Sequence, residues 1–529
     1  MEKTKKLAKS TLAIVVFSFL GKILGFFREA LQAAKFGAGI EMDAFTAAQA
    51  ATSIISALIV MAVSTTFIPG LQKVENELGK DYKLRFTNNM LSIVSLVSII
   101  LIALGIIFAK YVSYLTALKA DPETFALVVK LTKVGMPVII FSAIAGVFTG
   151  FLQYEGKFAA AGAIAIPLNL VYIFYLSFLH HIGIIGLTVA SVVAVVAQIL
   201  FLLPDAFRVG YRPKFVLDFK DKYVKEAIIL ALPVLVSTSV NDLNVIVNRN
   251  LALGMETGSA SVLNYANKMN TMIIGIFITA ITAIIFPTMS RAFGSGDMIH
   301  GKRVMNASIK TVLFLTVPAT VGMIILARPI VDIAYFHGRF TLQNAIDTTA
   351  TLRCYTLALI SISISNVLNR VYYSISDTKT PFIVGVINVG INIALNLMVA
   401  HRFGTRGLAT SVSIATTIAV IMSFIFLKKK IGNLGISSII KALIKTIMAS
   451  AVMGVFCLVY FPIEGFVAQI LGTGGAYKLA QLLILGVVVL IAIVIYGVLL
   501  YKLGVREIID ITKIVKKKIE KRKILKAGN

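Results

Sequence analysis

Long apolar windows without charge recur along this chain and constrain its fold more than any other feature. The clearest are Ala44–Gln72, Leu91–Ala109, Val134–Tyr154, Phe158–Leu179, Ile182–Pro204, Met269–Ser290, Thr311–Ala327, Thr380–Ala400, Gly407–Leu427, Thr446–Ile463 and Leu479–Tyr501. Each reaches, or nearly reaches, the ~20 residues that a helix needs to cross a bilayer. With 58% hydrophobic residues and a mean hydropathy of +0.90, the chain has too much apolar surface for a soluble fold of 529 residues. The sequence therefore predicts an all-α polytopic membrane protein.

Three further spans contain charged residues and lie near 10–36, 225–252 and 341–373. They bring the expected total to about fourteen transmembrane helices. We number the spans 1 to 14 in chain order.

The net charge of +27 would indicate a nucleic-acid partner in a soluble protein. Here the lysines and arginines concentrate in the short loops after spans 2, 6, 8 and 12 and at both chain ends, which is the distribution that the positive-inside rule describes. We therefore expect a multi-pass membrane protein with cytoplasmic termini and no nucleic-acid partner. The basic tail after Tyr501 has apolar residues at helical spacing. It either lies on anionic phospholipids of the inner leaflet or is a solvated helix.

The two halves of the chain resemble each other at an offset close to 218 residues. Arg85-Phe-Thr-Asn88 corresponds to Arg303-Val-Met-Asn306, and Gly183-Ile-Ile-Gly186-Leu187 corresponds to Gly404-Thr-Arg-Gly407-Leu408. Six spans per copy is an even number, so the repeat is parallel, as in transporters with alternating access. The alternative is a duplicated scaffold without transport.

This repeat divides the chain into four expected parts. They are a six-helix lobe at 1–215, a second lobe at 216–432, helices 13 and 14 at 433–504, and the basic tail at 505–529. The two lobes are expected to enclose a central cavity.

Span 1 contains Lys22, Arg28 and Glu29 inside an otherwise apolar helix. A charge at bilayer depth costs about 2.5–3.5 kcal/mol on insertion scales, so three of them indicate a helix that faces a water-filled cavity. The alternative is a helix that begins late and places these charges among the lipid headgroups.

Span 7 contains Asn241, Asp242, Asn244, Asn248 and Arg249. The asparagines recur at i, i+3 and i+7 and share one helix face. They either line the cavity or form a hydrogen-bonded seam between helices.

Two more charged residues belong to spans 2 and 8. Asp43 opens span 2, and Lys268 lies about three turns into the helix of span 8, which begins with SASVLNYANKMNTM. The five histidines have no metal-ligand spacing, and no nucleotide-binding motif or nucleophile elbow is present. We expect a transporter rather than an enzyme, without metal or cofactor, driven by the membrane potential or an ion gradient.

Several short motifs carry a family resemblance. They are GKILGFFREA at 21–30, MDAF at 42–45, FIPGL at 67–71, SVLNYANKM at 261–269, IFPTMSRAF at 285–293, YFHGRFT at 335–341 and SDTKTP at 376–381. With them the chain resembles the MurJ (MviN) family of the multidrug/oligosaccharidyl-lipid/polysaccharide transporter superfamily.

The resemblance implies a flippase for lipid II, the undecaprenyl-diphosphate-linked peptidoglycan precursor, with cell-wall synthesis proteins as further partners. By matching position, Arg28 and Glu29 are the family's charged pair of span 1, and Asp43 is its span 2 acid. Lys22 and Lys268 stand where arginines are common. The span 2 arginine expected near Ser56 is absent.

We expect Lys22, Arg28 and Lys268 to attract the diphosphate, with Arg249 and Asn244 as further substrate contacts. Glu29, Asp43 and Asp242 would balance these charges or exchange a proton or cation.

Three alternatives are compatible with the sequence. An exporter of another lipid-linked oligosaccharide would use similar cations, whereas a drug antiporter of the same superfamily would have mainly acids in its cavity. A membrane glycosyltransferase would need acidic residues in a sizeable outer loop, and the outer loops here are short.

Overall fold

The computed structural model describes the backbone of residues 2–275, 288–294, 296–472 and 474–505, and the side chains of these ranges except for 2–15 and 232–242. This part of the chain is almost entirely helical and contains no strand. The helices are α1 Glu2–Phe36, α2 Ile40–Leu78, α3 Lys80–Ile107, α4 Ala109–Ala117, α5 Pro122–Gly135, α6 Val138–Tyr154, α7 Phe158–Ala163, α8 Ala165–Phe174, α9 Gly183–Arg208, α10 Lys222–Leu253, α11 Ser259–Ile273, α12 Met298–Ile325, α13 Ala327–Tyr335, α14 Leu342–Thr356, α15 Ala358–Ser374, α16 Lys379–Ile431, α17 Ile436–Cys457, α18 Tyr460–Leu471 and α19 Gly475–Lys502.

The apolar windows form long helices because a helix satisfies all of its backbone hydrogen bonds internally, which hydrocarbon requires. Within the described ranges, eight helical stretches have the length and hydropathy of membrane spans, or nine if the bent pair α5 and α6, at 43° to each other, is one span. Three of the eight combine consecutive helices: Phe158–Arg208, Leu342–Ser374 and Ile436–Leu471. The predicted all-α membrane fold is confirmed, and the total of fourteen spans stays a prediction. The basic tail lies outside the described residues from position 506 onward.

Aspartates define where several helices begin. The side chain of Asp121 accepts a hydrogen bond from the backbone N–H of Thr124 at the start of α5. Asp221 accepts from Tyr223 and Val224 at the start of α10. These bonds satisfy backbone donors that have no partner within a helix.

Two glycines mark the breaks inside the longest helical ranges. Gly183 has φ +80° and separates α9 from the helical residues before it, and Gly404 has φ +55° inside α16, which is thus two helices. Both occupy left-handed backbone conformations that glycine adopts without strain. The sequence repeat aligns Gly183 with Gly404.

The contacts between residues divide the chain into two compact units. The first comprises 1–265, 335–347 and 389–408, and the second comprises 266–334, 348–388 and 409–529. In the first unit α2 packs against α5, α6 and α10, and its core includes Phe67, Phe86 and Phe151. In the second unit α12 packs against α15 and α17. These units are bounded differently from the two predicted lobes, whose division stays a prediction.

Both units contain the same hydrogen bond at the start of the third span of each repeat. Asn88 donates from Nδ2 to the carbonyl of Arg212 over 2.9 Å, and Asn306 donates to the carbonyl of Leu434 over 2.9 Å. Each asparagine thereby holds the segment that follows the sixth span of its own copy. The aligned positions therefore have equivalent structural roles.

Candidate functional site

A polar cavity of about 240 Å³ lies inside the first unit, and we call it the bundle cavity. Its polar lining consists of Arg28, Gln49, Thr52, Ser53, Ser56, Ser142, Tyr172, Thr188, Ser191 and Gln198. Hydroxyls and amides dominate this lining, and Arg28 is its charged member. Such a cavity can hold water beside a guanidinium at bilayer depth, which lowers the cost of burying that charge.

Arg28 is held by two neighbours. Its Nη2 lies 2.6 Å from Oε1 of Glu29, and its guanidinium carbon lies 5.0 Å from the ring centre of Tyr172. The side chain is 17% exposed, and its Nε has no hydrogen-bond partner among the described residues. The arginine side chain is therefore largely buried, and its charge is compensated by a carboxylate and an aromatic face.

Asp43 joins α2 to the start of α11. Its Oδ2 accepts from the backbone N–H of Gly258 over 2.7 Å, and its Oδ1 accepts from the N–H and the hydroxyl of Ser261 over 2.7 and 2.5 Å. Asp43 is 3% exposed. A buried carboxylate at the N-terminus of a second helix satisfies that helix's open donors and its positive dipole end. The partners of Asp43 are thus on α11, whereas the carboxylate next to Arg28 is that of Glu29.

Arg249, on α10, also contacts α2 and the start of α11. Its Nη1 donates to the hydroxyl of Thr46 over 3.0 Å and to the carbonyl of Ala260 over 3.2 Å. The predicted substrate contact therefore lies where α2, α10 and α11 meet. A role of Arg249 in substrate binding stays a prediction.

Three glycines allow the backbones to approach closely at this end of the first unit. A Cβ on Gly37 would lie 2.6 Å from the carbonyl oxygen of Arg339. A Cβ on Gly258 would lie 2.7 Å from the carbonyl oxygen of Ala38. A Cβ on Gly338 would lie 2.2 Å from the carbonyl oxygen of Ala34. All three have positive φ, so a side chain would be both strained and obstructed. We call these contacts, with the bonds of Asp43 and Arg249, the distal closure, since they lie at the end of α1 away from the N-terminus.

A buried aromatic group belongs to the distal closure, and an exposed ion pair lies beside it. Glu41 lies 3.2 Å from Arg339, and both side chains are well exposed. Tyr265 donates from its hydroxyl to the carbonyl of Gly37 over 3.1 Å and packs on Tyr335 at a ring distance of 4.9 Å. Sequence reasoning missed this cluster, although Tyr335 and Gly338 stand in the family motif YFHGRFT at 335–341.

Asparagines connect α10 to α16. Asn248 donates to Asn244 over 2.8 Å, and Asn396 donates to Asn248 over 2.6 Å and to Asn392 over 3.0 Å. Asn392 and Asn396 are fully buried. These bonds match the seam that the sequence left as one alternative for span 7, and the role of Asn244 in substrate binding stays a prediction.

The remaining predicted site residues lie on α1, α2, α10 and α11. Lys22 is half-buried on α1, and Lys268 is exposed on α11 in the second unit. The side chains of Asn241 and Asp242 lie outside the described residues. Ser56, where the family's arginine was expected, lines the bundle cavity and donates to the carbonyl of Ser53 over 3.1 Å.

Comparisons with known proteins agree with this architecture. The family model for lipid II flippase MurJ matches residues 32–473. A probable lipid II flippase MurJ from Rickettsia prowazekii is 28% identical over 417 residues, covering 77% of this chain and 81% of the relative. One from Bdellovibrio bacteriovorus is 26% identical over 520 residues, covering 96% and 97%. Lipid II flippase MurJ from Burkholderia cenocepacia is 24% identical, covering 80% and 84%.

Solved structures with the same fold include a MurJ and a drug transporter. Lipid II flippase MurJ in an inward closed conformation has a TM-score of 0.74 at 25% identity, covering 93% of this chain and 99% of that one. An inward-facing multidrug resistance MATE transporter of the MOP superfamily has a TM-score of 0.63 at 15% identity, covering 78% and 95%. The latter likeness concerns the fold alone.

Proposed function

The chain belongs to the lipid II flippase MurJ family, and from this premise we propose that it translocates lipid II from the inner to the outer leaflet of the bacterial inner membrane. The family consists of transporters, so the activity is the movement of a lipid-linked precursor without chemical change. Alternating access is the mechanism that two parallel repeats support.

The distal closure is the observation that carries this proposal. A loaded diphosphate headgroup must not leak across the bilayer, so one end of the pathway has to be sealed while the other admits substrate. Hydrogen bonds of Asp43 and Arg249 join α2 and α10 to the start of α11, and the three glycines let the backbones near the end of α1 approach closely. The positive-inside distribution of the loop charges favours an outer-face position for this end. Opening it would release the headgroup into the outer leaflet.

We propose that Arg28 is the main anchor of the diphosphate. Arginine offers two parallel N–H donors to phosphate oxygens, and the pairing strengthens in a water-poor site. In the present state Glu29 and Tyr172 hold the guanidinium, so a phosphate has to draw it away from its carboxylate. Lys22 and Lys268 would add charge attraction without the bidentate geometry.

The energy source in this proposal is the membrane potential or an ion gradient, without a cofactor. A unit charge that crosses the full field exchanges about 2.3 kcal/mol per 100 mV. Glu29, Asp43 and Asp242 are the acids available to exchange a proton or cation. We further propose cytoplasmic termini, with the basic tail on anionic phospholipids and cell-wall synthesis proteins as partners.

The lysines and Ser56 favour a second substrate candidate. With lysines at 22 and 268 and no arginine near Ser56, the chain has fewer bidentate phosphate donors than the family pattern. An exporter of another undecaprenyl-diphosphate-linked oligosaccharide would need the same cations. Transfer of lipid II and of such a lipid, measured side by side in vesicles, separates the two candidates.

Complementation tests the proposal in cells. A strain depleted of its own flippase should grow when it expresses the wild-type chain and should lyse when it expresses Arg28→Ala at the same membrane level. Arg208→Ala is the matched control, since Arg208 is 75% exposed and its ion pair with Asp205 is local, three positions along α9. Normal growth with Arg28→Ala would contradict the assigned role of Arg28.

A further inference from the structure

The segment between α9 and α10, residues 209–221, crosses the start of α3 as a strap. Two adjacent asparagines of α3 hold it. Asn88 bonds the carbonyl of Arg212, the N–H of Lys214 and the hydroxyl of Tyr211, at 2.9, 3.2 and 2.8 Å. Asn89 exchanges two hydrogen bonds with Asp218, at 2.9 and 2.8 Å. Five bonds fix this irregular segment, so it is a built element of the fold.

Beneath the strap runs an apolar groove of about 530 Å³. Leu91, Leu96, Ile144 and Phe148 line it, with Leu217 of the strap. On α3 the lining extends from Asn88 to Ile99, which is about 16 Å of helix rise. Half of a bilayer's ~30 Å hydrocarbon core has about this thickness. The groove therefore has the length of one leaflet's acyl chain.

The mouth of the groove combines a cation with exposed aromatic surface. Lys214 is the charged residue in the lining, and the neighbouring Phe215 is 86% exposed. Phe219 and Leu217 are also exposed on the strap. Apolar side chains interleaved with lysine are typical of a segment that inserts into the interface of an anionic leaflet.

We propose that this groove binds one anionic phospholipid of the leaflet on the side of the N-terminus. An acyl chain lies along α3 and α6, and the phosphate headgroup pairs with Lys214. The site differs from the basic tail and does not depend on the transported substrate. Because the strap is the chain's connection between spans 6 and 7, the bound lipid would fasten the link between the two sequence repeats to the inner leaflet.

Native mass spectrometry of the full-length protein in detergent tests this site. Titration with dioleoyl-phosphatidylglycerol should give one saturable high-affinity adduct that dioleoyl-phosphatidylcholine does not compete away. Lys214→Gln should weaken that affinity about fivefold, as expected for one interfacial lysine. Ser95→Phe, which fills the groove, should weaken it at least as much. Lys220→Gln is the matched control, because Lys220 is an exposed strap lysine outside the groove lining.

Each other outcome contradicts the site. Equal affinity for the two lipids shows a groove indifferent to headgroup charge. Equal losses in Lys214→Gln and Lys220→Gln show diffuse attraction to the strap, with Phe215 as an interfacial anchor only. If a Ser95→Phe protein unfolds at the wild-type temperature and retains the lipid affinity, the acyl chain does not occupy the groove. If Ser95→Phe is misfolded, the comparison of the two lysine variants decides.

Discussion

At the scale of single residues, Arg28 depends on a partner that its sequence neighbourhood does not reveal. Glu29 is adjacent in the chain, but Tyr172 comes from α8. The charges of span 1 stand out in an apolar helix, so Arg28, Glu29 and Asp43 could be selected from the sequence. Their contacts could not, because the bond from Gly258 to Asp43 joins residues 215 positions apart.

Tyr172 should act through its aromatic face. Tyr172→Phe keeps the ring over Arg28 and should leave lipid II transfer within about twofold of wild type. Tyr172→Leu removes the cation–π contact, which is worth up to about 2 kcal/mol in a desolvated site, and should lower the apparent unfolding temperature and the transfer rate. Thermal unfolding and a vesicle transfer assay measure the two effects. If Tyr172→Phe and Tyr172→Leu have the same unfolding temperature and transfer rate, the ring contributes packing alone and no cation–π contact.

Asp43 should matter far more than the exposed acid two positions earlier. Asp43→Ala leaves the N–H groups of Gly258 and Ser261 buried without an acceptor, a loss of about 1–3 kcal/mol for each buried group. We expect the distal closure to open more often, so that a cysteine at position 259 reacts faster with a membrane-impermeant maleimide in spheroplasts. Cys354 and Cys457 are free thiols and would first be replaced.

Glu41→Ala is the control for this experiment. The ion pair of Glu41 with Arg339 is exposed on both sides, and surface pairs contribute about 0–1 kcal/mol. Its labelling rate should stay near that of wild type. Unchanged labelling in Asp43→Ala would mean that the closure does not rest on this carboxylate.

At the scale of elements, the internal repeat predicted equivalent structural devices in distant parts of the chain. Gly183 and Gly404 both break helices in left-handed conformations, and Asn88 and Asn306 both hold the segment after a sixth span. The sequence repeat could align these positions because the same backbone conformation and the same hydrogen bond recur in both copies. It could not show the strap's other bonds, since those depend on how α3 and the strap meet in space.

The two asparagines should contribute unequally to stability. Asn88→Leu removes three hydrogen bonds, whereas Asn306→Leu removes one from the carbonyl of Leu434. At about 1 kcal/mol per net hydrogen bond, Asn88→Leu should lower the apparent unfolding temperature by more than Asn306→Leu does. Thermal unfolding in detergent measures both. The reverse order would show that the strap is not held by Asn88.

A loop carboxylate should make stability depend on pH. Asp377, in the loop between α15 and α16, is bonded by Lys430 and by the N–H of Thr380. Partial burial raises the pKa of Asp377, but the bonds from Lys430 and Thr380 outweigh it and lower that pKa to about 2. The pKa in an unfolded chain is about 3.9. The lowered value stabilises the folded state above the unfolded pKa, and this stability is lost as pH falls from about 5 to 2.

Asp377→Asn tests this dependence. The variant should be less stable than wild type at pH 7, and the difference should shrink as the pH approaches 3. Glu123→Gln, at the start of α5 and without this lysine contact, is a suitable control. A difference between Asp377→Asn and wild type that stays constant with pH would contradict the ion pair's contribution.

At the scale of the whole molecule, hydropathy alone predicted the all-α membrane fold, and the motifs predicted the family. Helix boundaries were less predictable. Residues 379–431 form one nearly continuous helical range, because the break at Gly404 is a single backbone conformation. The boundaries of the compact units fall at Tyr265, Tyr335 and Leu408, among others. No change in charge or composition marks these positions in the sequence. Membrane helices are patterned by the bilayer, so their pairing is poorly encoded in hydropathy.

Leaflet transfer of lipid II by the purified protein tests the central claim most directly. Vesicles of defined composition would contain the full-length chain and fluorescent lipid II, with an imposed membrane potential, and a membrane-impermeant quencher would report the lipid in the outer leaflet. The wild-type chain should exchange lipid II between leaflets, Arg208→Ala should do so equally, and Arg28→Ala should leave the rate at that of protein-free vesicles. Transfer by Arg28→Ala at the wild-type rate, or none by the wild type with a potential applied, would contradict the account.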